Sequence, residues 1–124
     1  MRFDAPPVIT GGPWLAAGPW PRLPTRASQA FVLSQNYDVY WGFSDDYATC
    51  SALCWHRARY RNVDDEGWVW TWITVSTDPT GREYAYTTLP VDELENGTYM
   101  LRVEVIDCLN QVTRSATHYF RVER

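Results

Sequence analysis

Three cysteines and two histidines are the residues of this 124-residue chain best suited to covalent or metal chemistry. The segment Cys50-Ser51-Ala52-Leu53-Cys54-Trp55-His56 has the outline of a haem attachment site. That motif requires His directly after the second Cys, and Trp55 intervenes. Cys50, Cys54, Cys108 and His56 together would form a tetrahedral Cys₃His zinc set. The expectation is instead that no metal or other cofactor is bound and that His56 is a strand residue with a satisfied ring. An odd number of thiols leaves at least one outside any intramolecular disulfide. No Gly-x-Ser-x-Gly elbow, His-Glu-x-x-His pair or phosphate-cradling glycine loop occurs, so the chain is not expected to be an enzyme. The acidic pairs Asp45-Asp46 and Asp64-Asp65-Glu66 are read as solvated turn residues.

A second constellation suggests binding. Trp68, Trp70 and Trp72 are spaced two apart, which on a strand places them on one face. Arg57, Arg59 and Arg61 have the same spacing, with His56, Ala58 and Tyr60 on the opposite parity. Arginine prefers the solvated face. A hairpin setting Arg61 opposite Trp68, Arg59 opposite Trp70 and Arg57 opposite Trp72 aligns the two polar stripes. It also aligns Tyr60 with Val69, Ala58 with Thr71 and His56 with Ile73. A one-residue slip would invert every side chain. The expected product is an outer face of alternating Trp and Arg, with Trp55 at its head. Such a face is a cation–π ladder, a contact platform for a protein or sugar, or, if inverted, part of the core.

The elements that must position these residues read as short strands. Residues 1–27 hold six of the eight prolines, which excludes a helix or a central strand. They are expected to form an arm or linker in which Pro6–Thr10 could pair at an edge and Trp14 and Trp20 dock on the body. Residues 28–124 form the domain proper. Its apolar runs are Ala30–Leu33, Tyr37–Phe43, Cys54–Arg61, Trp68–Thr77, Arg82–Leu89, Thr98–Ile106 and Thr113–Val122, separated by turn residues such as Asp78-Pro79-Thr80-Gly81 and Asn96-Gly97. Val91–Leu94 allows one helical turn. About seven strands at this spacing predict an all-β, antiparallel sandwich.

Composition narrows the partners. A net charge of −4 argues against nucleic acid. All eleven basic residues are arginine, which stacks on aromatic rings better than lysine. No apolar run approaches the roughly 20 residues that cross a bilayer, and no signal-peptide core follows Met1. The reading is a mature or excised domain of an extracellular or cell-surface protein.

The segment Leu94-Glu95-Asn96-Gly97-Thr98-Tyr99-Met100-Leu101-Arg102-Val103-Glu104-Val105 resembles the corner before the sixth strand of fibronectin type III and bacterial immunoglobulin-like modules. The resemblance implies an immunoglobulin-like sandwich over residues 30–124. In it Tyr99 is buried with its hydroxyl on upstream backbone, and Leu101, Val103 and Val105 face a core Trp41. Asp107-Cys108-Leu109-Asn110 resembles the Asp-x-x-Gly-Asn turn of these modules, with Leu109 in place of Gly. The fold brings Cys108 near the turn that carries Cys50 and Cys54. A disulfide from Cys108 to one of them is therefore expected, with a Cys50–Cys54 bridge as the competitor. The function implied is a non-catalytic interaction or structural module of an exported or surface assembly. It would contact a protein partner or its own copies through the Trp/Arg face and the Pro-rich arm. The alternative is a carbohydrate-binding module that holds polysaccharide on the same Trp residues.

Overall fold

The computed structural model describes residues 5–44, 55–65, 71–77 and 84–124. Two β-sheets face one another. Strands β1 (Val8–Leu15), β3 (Tyr37–Ser44), β7 (Tyr84–Leu89) and β6 (Ser76–Thr77) form a four-stranded sheet in the order β1-β3-β7-β6. The larger sheet runs β2 (Phe31–Leu33), β10 (His118–Val122), β8 (Gly97–Ile106), β4 (Trp55–Asn62) and β5 (Thr71–Ile73). Strand β9 (Val112–Arg114) pairs with β8 on the same side as β10. Helical structure among the described residues is limited to 3₁₀ turns at Ala27–Gln29 and Val91–Glu93.

The longest strand, β8, sets the layers. Its alternate residues Tyr99, Leu101, Val103 and Val105 are all buried. Tyr99 and Leu101 join one apolar cluster with Leu23, Leu33, Val39 and Phe120. Val103 and Val105 join a second with Trp41, Phe43, Ala58 and Ala85. Trp41 is fully buried, and the strand carrying Tyr99 packs in the same core. The Tyr99 hydroxyl donates to the Glu95 carbonyl at 2.8 Å. That bond satisfies a phenol that would otherwise be stranded in an apolar layer. Gly97, just before it, has φ of +154°, and a Cβ there would lie 2.9 Å from Asn62 Nδ2. The turn after β8 is built by buried Asp107, whose Oδ1 accepts from Leu109 N (2.9 Å) and Gln111 N (2.8 Å). Leu109 needs no glycine-like backbone, because Asn110 takes the left-handed conformation (φ 64°).

Three expectations need correction. The sandwich is not wholly antiparallel: β2 runs parallel to β10, pairing Phe31 with Phe120 and Leu33 with Val122. A parallel neighbour needs a long connection, and here nearly the whole domain lies between the two strands. The run 68–77 is not one strand. Thr71–Ile73 belongs to the larger sheet and Ser76–Thr77 to the smaller, and half-buried Ile73 and Val75 pack on the core around the crossing. The hairpin register is displaced by two residues, with Arg59 opposite Trp72, Ala58 opposite Ile73 and Tyr60 opposite Thr71. An even displacement leaves the parity of both strands unchanged.

His56 points inward from β4. The Trp41 indole N–H donates to its Nδ1 at 3.4 Å, and the Phe43 ring meets it edge-on with centroids 4.4 Å apart. An Nδ1 that accepts is unprotonated, so the ring is neutral. Burial pushes its pKa down to about 4. The unfolded chain therefore binds more protons than the folded one between about pH 6.5 and pH 4. Stability from this site is complete above that window and is lost as pH falls through it, by up to about 3 kcal/mol. Urea midpoints should fall between pH 7.5 and pH 4.5, and His56→Gln, which retains an acceptor for Trp41, should flatten much of that fall. An unchanged slope in the variant would contradict the assignment.

Candidate functional site: two outer sheet faces

The outer face of the larger sheet follows from the inward alternation. Ala58, Leu101, Val103, Phe120 and Val122 point to the core, so Arg57, Arg59, Arg61, Arg102 and Arg121 project the other way. Cross-strand register builds them into rows. Arg57, Glu104 and Arg114 form one row, Arg59 and Arg102 the next, and Arg61 and Met100 a third. Glu104 is the anchor. It is only 1% exposed, and it meets Arg57 Nε at 3.2 Å and Arg114 Nε at 2.5 Å. One buried carboxylate thus holds three strands, β4, β8 and β9, through charge-assisted contacts. Arg57 also lies 5.3 Å from the centre of the exposed Trp55 ring, within cation–π range. Arg61 is buried and donates from Nη2 to the Asp65 carbonyl. Arg102 donates to the Thr117 hydroxyl at 2.8 Å.

Of the sequence-predicted site, the structure brings Trp55, Arg57, Arg59 and Arg61 onto one strand. Trp68 and Trp70 lie outside the described residues, and of Trp72 only the backbone pairing with Arg59 is described. Cys108 sits in the turn after β8. Its expected partners Cys50 and Cys54 lie outside the described residues. His56, considered as a zinc ligand, is instead engaged by Trp41.

The outer face of the smaller sheet carries a site that the sequence did not reveal. Residues 8–15 of the Pro-rich segment form its edge strand, antiparallel to β3, with register shifts around Gly11 and Gly12. Gly12 has φ of +86°, and a Cβ there would strike the Tyr40 carbonyl at 2.7 Å. A Cβ on Gly11 would enter the Trp14 ring at 2.5 Å. The two glycines thus let the strand bulge and let the Trp14 indole lie against it. The chain then doubles back. Leu15 N donates to Pro21 O (2.9 Å), Leu23 N to Pro13 O (2.9 Å) and Trp20 N to Ala17 O (2.5 Å). Trp20 takes φ of 61°, a region that bulky residues seldom occupy, and these bonds hold it there. Its ring lies 5.2 Å from that of Tyr40, which stacks on Tyr86 at 4.9 Å.

The result is a groove of about 310 Å³ lined by Trp14, Trp20, Tyr40 and Tyr84. Among the described residues no charged side chain lines it, and Trp20 is 49% exposed. The arm is tied to the larger sheet as well. His118 Nδ1–H donates to Leu23 O (2.8 Å), and Tyr119 N donates to Pro24 O (2.9 Å). The His118 pKa is lowered, first by burial and then by the Arg22 charge, against the opposing effect of the Leu23 hydrogen bond.

No family model matches the chain, nor does any curated protein. Among solved structures, a mutant of the SrpA adhesin from Streptococcus sanguinis is similar, with a TM-score of 0.50 and 12% identity. The match covers 99% of this chain and 60% of that one. At that identity the likeness concerns the fold: an all-β arrangement that this chain shares with a streptococcal adhesin domain.

Removing the cations should harm the protein more than removing the anion. Arg57→Met with Arg114→Met strands a buried carboxylate and should lower urea-unfolding stability by about 3 kcal/mol or more. Glu104→Gln frees two arginines that reach water and should cost about 1 kcal/mol. The reverse order would contradict the anchoring role of Glu104.

Proposed function

We propose that the chain is a non-catalytic binding module of an exported or surface assembly, built as an immunoglobulin-like or fibronectin type III-like sandwich. The hydroxyl bond of buried Tyr99 and the core position of Trp41 support that architecture. The fold likeness to a surface adhesin agrees with a contact role at the cell exterior. Both histidines support a non-catalytic reading, since each spends a ring nitrogen on the fold. A disulfide from Cys108 to Cys50 or Cys54 belongs to the same proposal.

The observation that carries the function is the aromatic groove on the smaller sheet. A small domain gains nothing in core stability from holding Trp20 half in water with a left-handed backbone. Such strain persists where a side chain is being presented. The groove favours the carbohydrate reading over a general protein contact. Among the described residues its walls are flat uncharged rings, suited to the apolar faces of neutral sugar rings. The sugar site is thereby assigned to Trp14, Trp20, Tyr40 and Tyr84, and the Trp/Arg face to a second contact.

Soluble neutral polysaccharides should quench the intrinsic Trp fluorescence in a saturable way. Trp20→Ala should abolish that saturation while shifting the melting temperature by no more than a few degrees, since the residue is half exposed. Retention of saturable quenching in the variant would remove the groove as the site.

A further inference from the structure

We propose that the cavity between β1 and the corner joining β9 to β10 binds a small polyhydroxy carboxylate. Its volume is about 420 Å³, within the range of small-molecule sites. Among the described residues it is lined by residues 7–12 of the Pro-rich segment, by Arg22, and by residues 113–116 and His118. It shares no lining residue with the aromatic groove. Two polar groups in its wall are unfilled, and they differ in kind. His118 is 1% exposed. Its Nδ1–H is spent on the Leu23 carbonyl (2.8 Å), which makes Nε2 a bare acceptor. Nε2 is closed off from bulk water and has no hydrogen-bond partner. Buried acceptors are normally satisfied, so this one calls for a donor from the cavity. Burial first, and then the Arg22 charge, hold the His118 pKa below its ordinary value. The ring therefore stays neutral and keeps that lone pair.

Arg22 has the opposite need. Its backbone bridges to Trp14 on β1. The next residue, buried Leu23, is held by the Pro13 carbonyl and by His118, so Arg22 is fixed beside the cavity. Its side chain is exposed and makes no hydrogen bond or ion pair among the described residues. Other polar side chains of the wall are already engaged. Thr113 donates to the Pro7 carbonyl, Ser115 donates to the Ala116 carbonyl and accepts from Val103 N, and Arg114 pairs with Glu104. One unpaired guanidinium suits one carboxylate, taken two bonds at a time. A phosphate dianion would call for a second free cation, and neutral His118 is not one. A hydroxyl on the same molecule donates to His118 Nε2. β1 ends its sheet among the described strands, and the backbone groups on the outer side of an edge strand lack ladder partners. Further hydroxyls of the ligand pair there. The site is independent of the aromatic groove.

The test is a titration of the nitrogen-15-labelled full chain with D-gluconate, followed by NMR, with sorbitol, acetate and inorganic phosphate in parallel. Gluconate should bind saturably, and the His118 Nε2 resonance should move toward its hydrogen-bonded position as the site fills. Sorbitol lacks the carboxylate and acetate lacks the hydroxyls, so each should bind about tenfold more weakly or worse. Arg22→Gln should weaken gluconate binding by about tenfold, while Trp20→Ala leaves it unchanged. The ligand comparison on the unaltered chain decides the matter even if the Arg22 variant does not fold. Absence of saturable gluconate binding, or binding that leaves His118 Nε2 unmoved, would overturn the proposal. So would sorbitol, acetate or phosphate binding as tightly as gluconate, or full gluconate binding by folded Arg22→Gln.

Discussion

Strand β8 must bury every second residue on one side, and the rest of the molecule is arranged around that requirement. Tyr99, Leu101, Val103 and Val105 contribute to both apolar clusters, so the strand joins the two halves of the core. Burial of each such side chain is worth roughly 1.5–3 kcal/mol, which makes the opposite parity far less stable. Once that parity holds, hydrogen-bonded register carries it to the neighbouring strands. β4 turns Ala58 inward and Arg57 and Arg59 outward, and β10 turns Phe120 and Val122 inward and Arg121 outward. The core and the arginine face are two sides of one alternation.

The smaller sheet obeys the same rule and uses it differently. Val39, Trp41 and Phe43 on β3 and Ala85, Thr87 and Leu89 on β7 fill the core. Tyr40, Tyr84 and Tyr86 are left outside. A bare row of tyrosines would be an ordinary sheet surface. The Pro-rich segment turns it into a groove by adding an edge strand and folding Trp20 back over Tyr40. Its anchors are on the larger sheet, where buried Leu23 meets His118. The segment therefore spans both layers, and the geometry of the groove is tied to the core that β8 organises.

Much of this was legible in the sequence where the signal is local. The alternation after Asn96-Gly97, the role of Tyr99 and the parity of Arg57, Arg59 and Arg61 all follow from period-two spacing and the dislike of arginine for an apolar layer. The groove was not legible, because Trp14 and Trp20 lie far along the chain from Tyr84. Only the β1-β3-β7 pairing brings the three together. Glu104 read as one polar residue of an alternating strand. Its burial depends on cations from β4 and β9, which spacing alone does not place beside it. The switch between β5 and β6 was hidden within an unbroken run of strand-forming residues. Propensity reports strand there, and it is silent on which sheet receives each piece.

The claim that one alternation makes both the core and the arginine face can be measured without altering the chain. NMR relaxation in the presence of a soluble gadolinium chelate reports the distance of each side chain from solvent. The account predicts that the Met100 methyl and the Arg102 Nε–H are strongly relaxed, while the methyls of Leu101, Val103 and Val105 between and beyond them are spared. Relaxation of the Leu101 and Val103 methyls as strong as that of Met100 would contradict it.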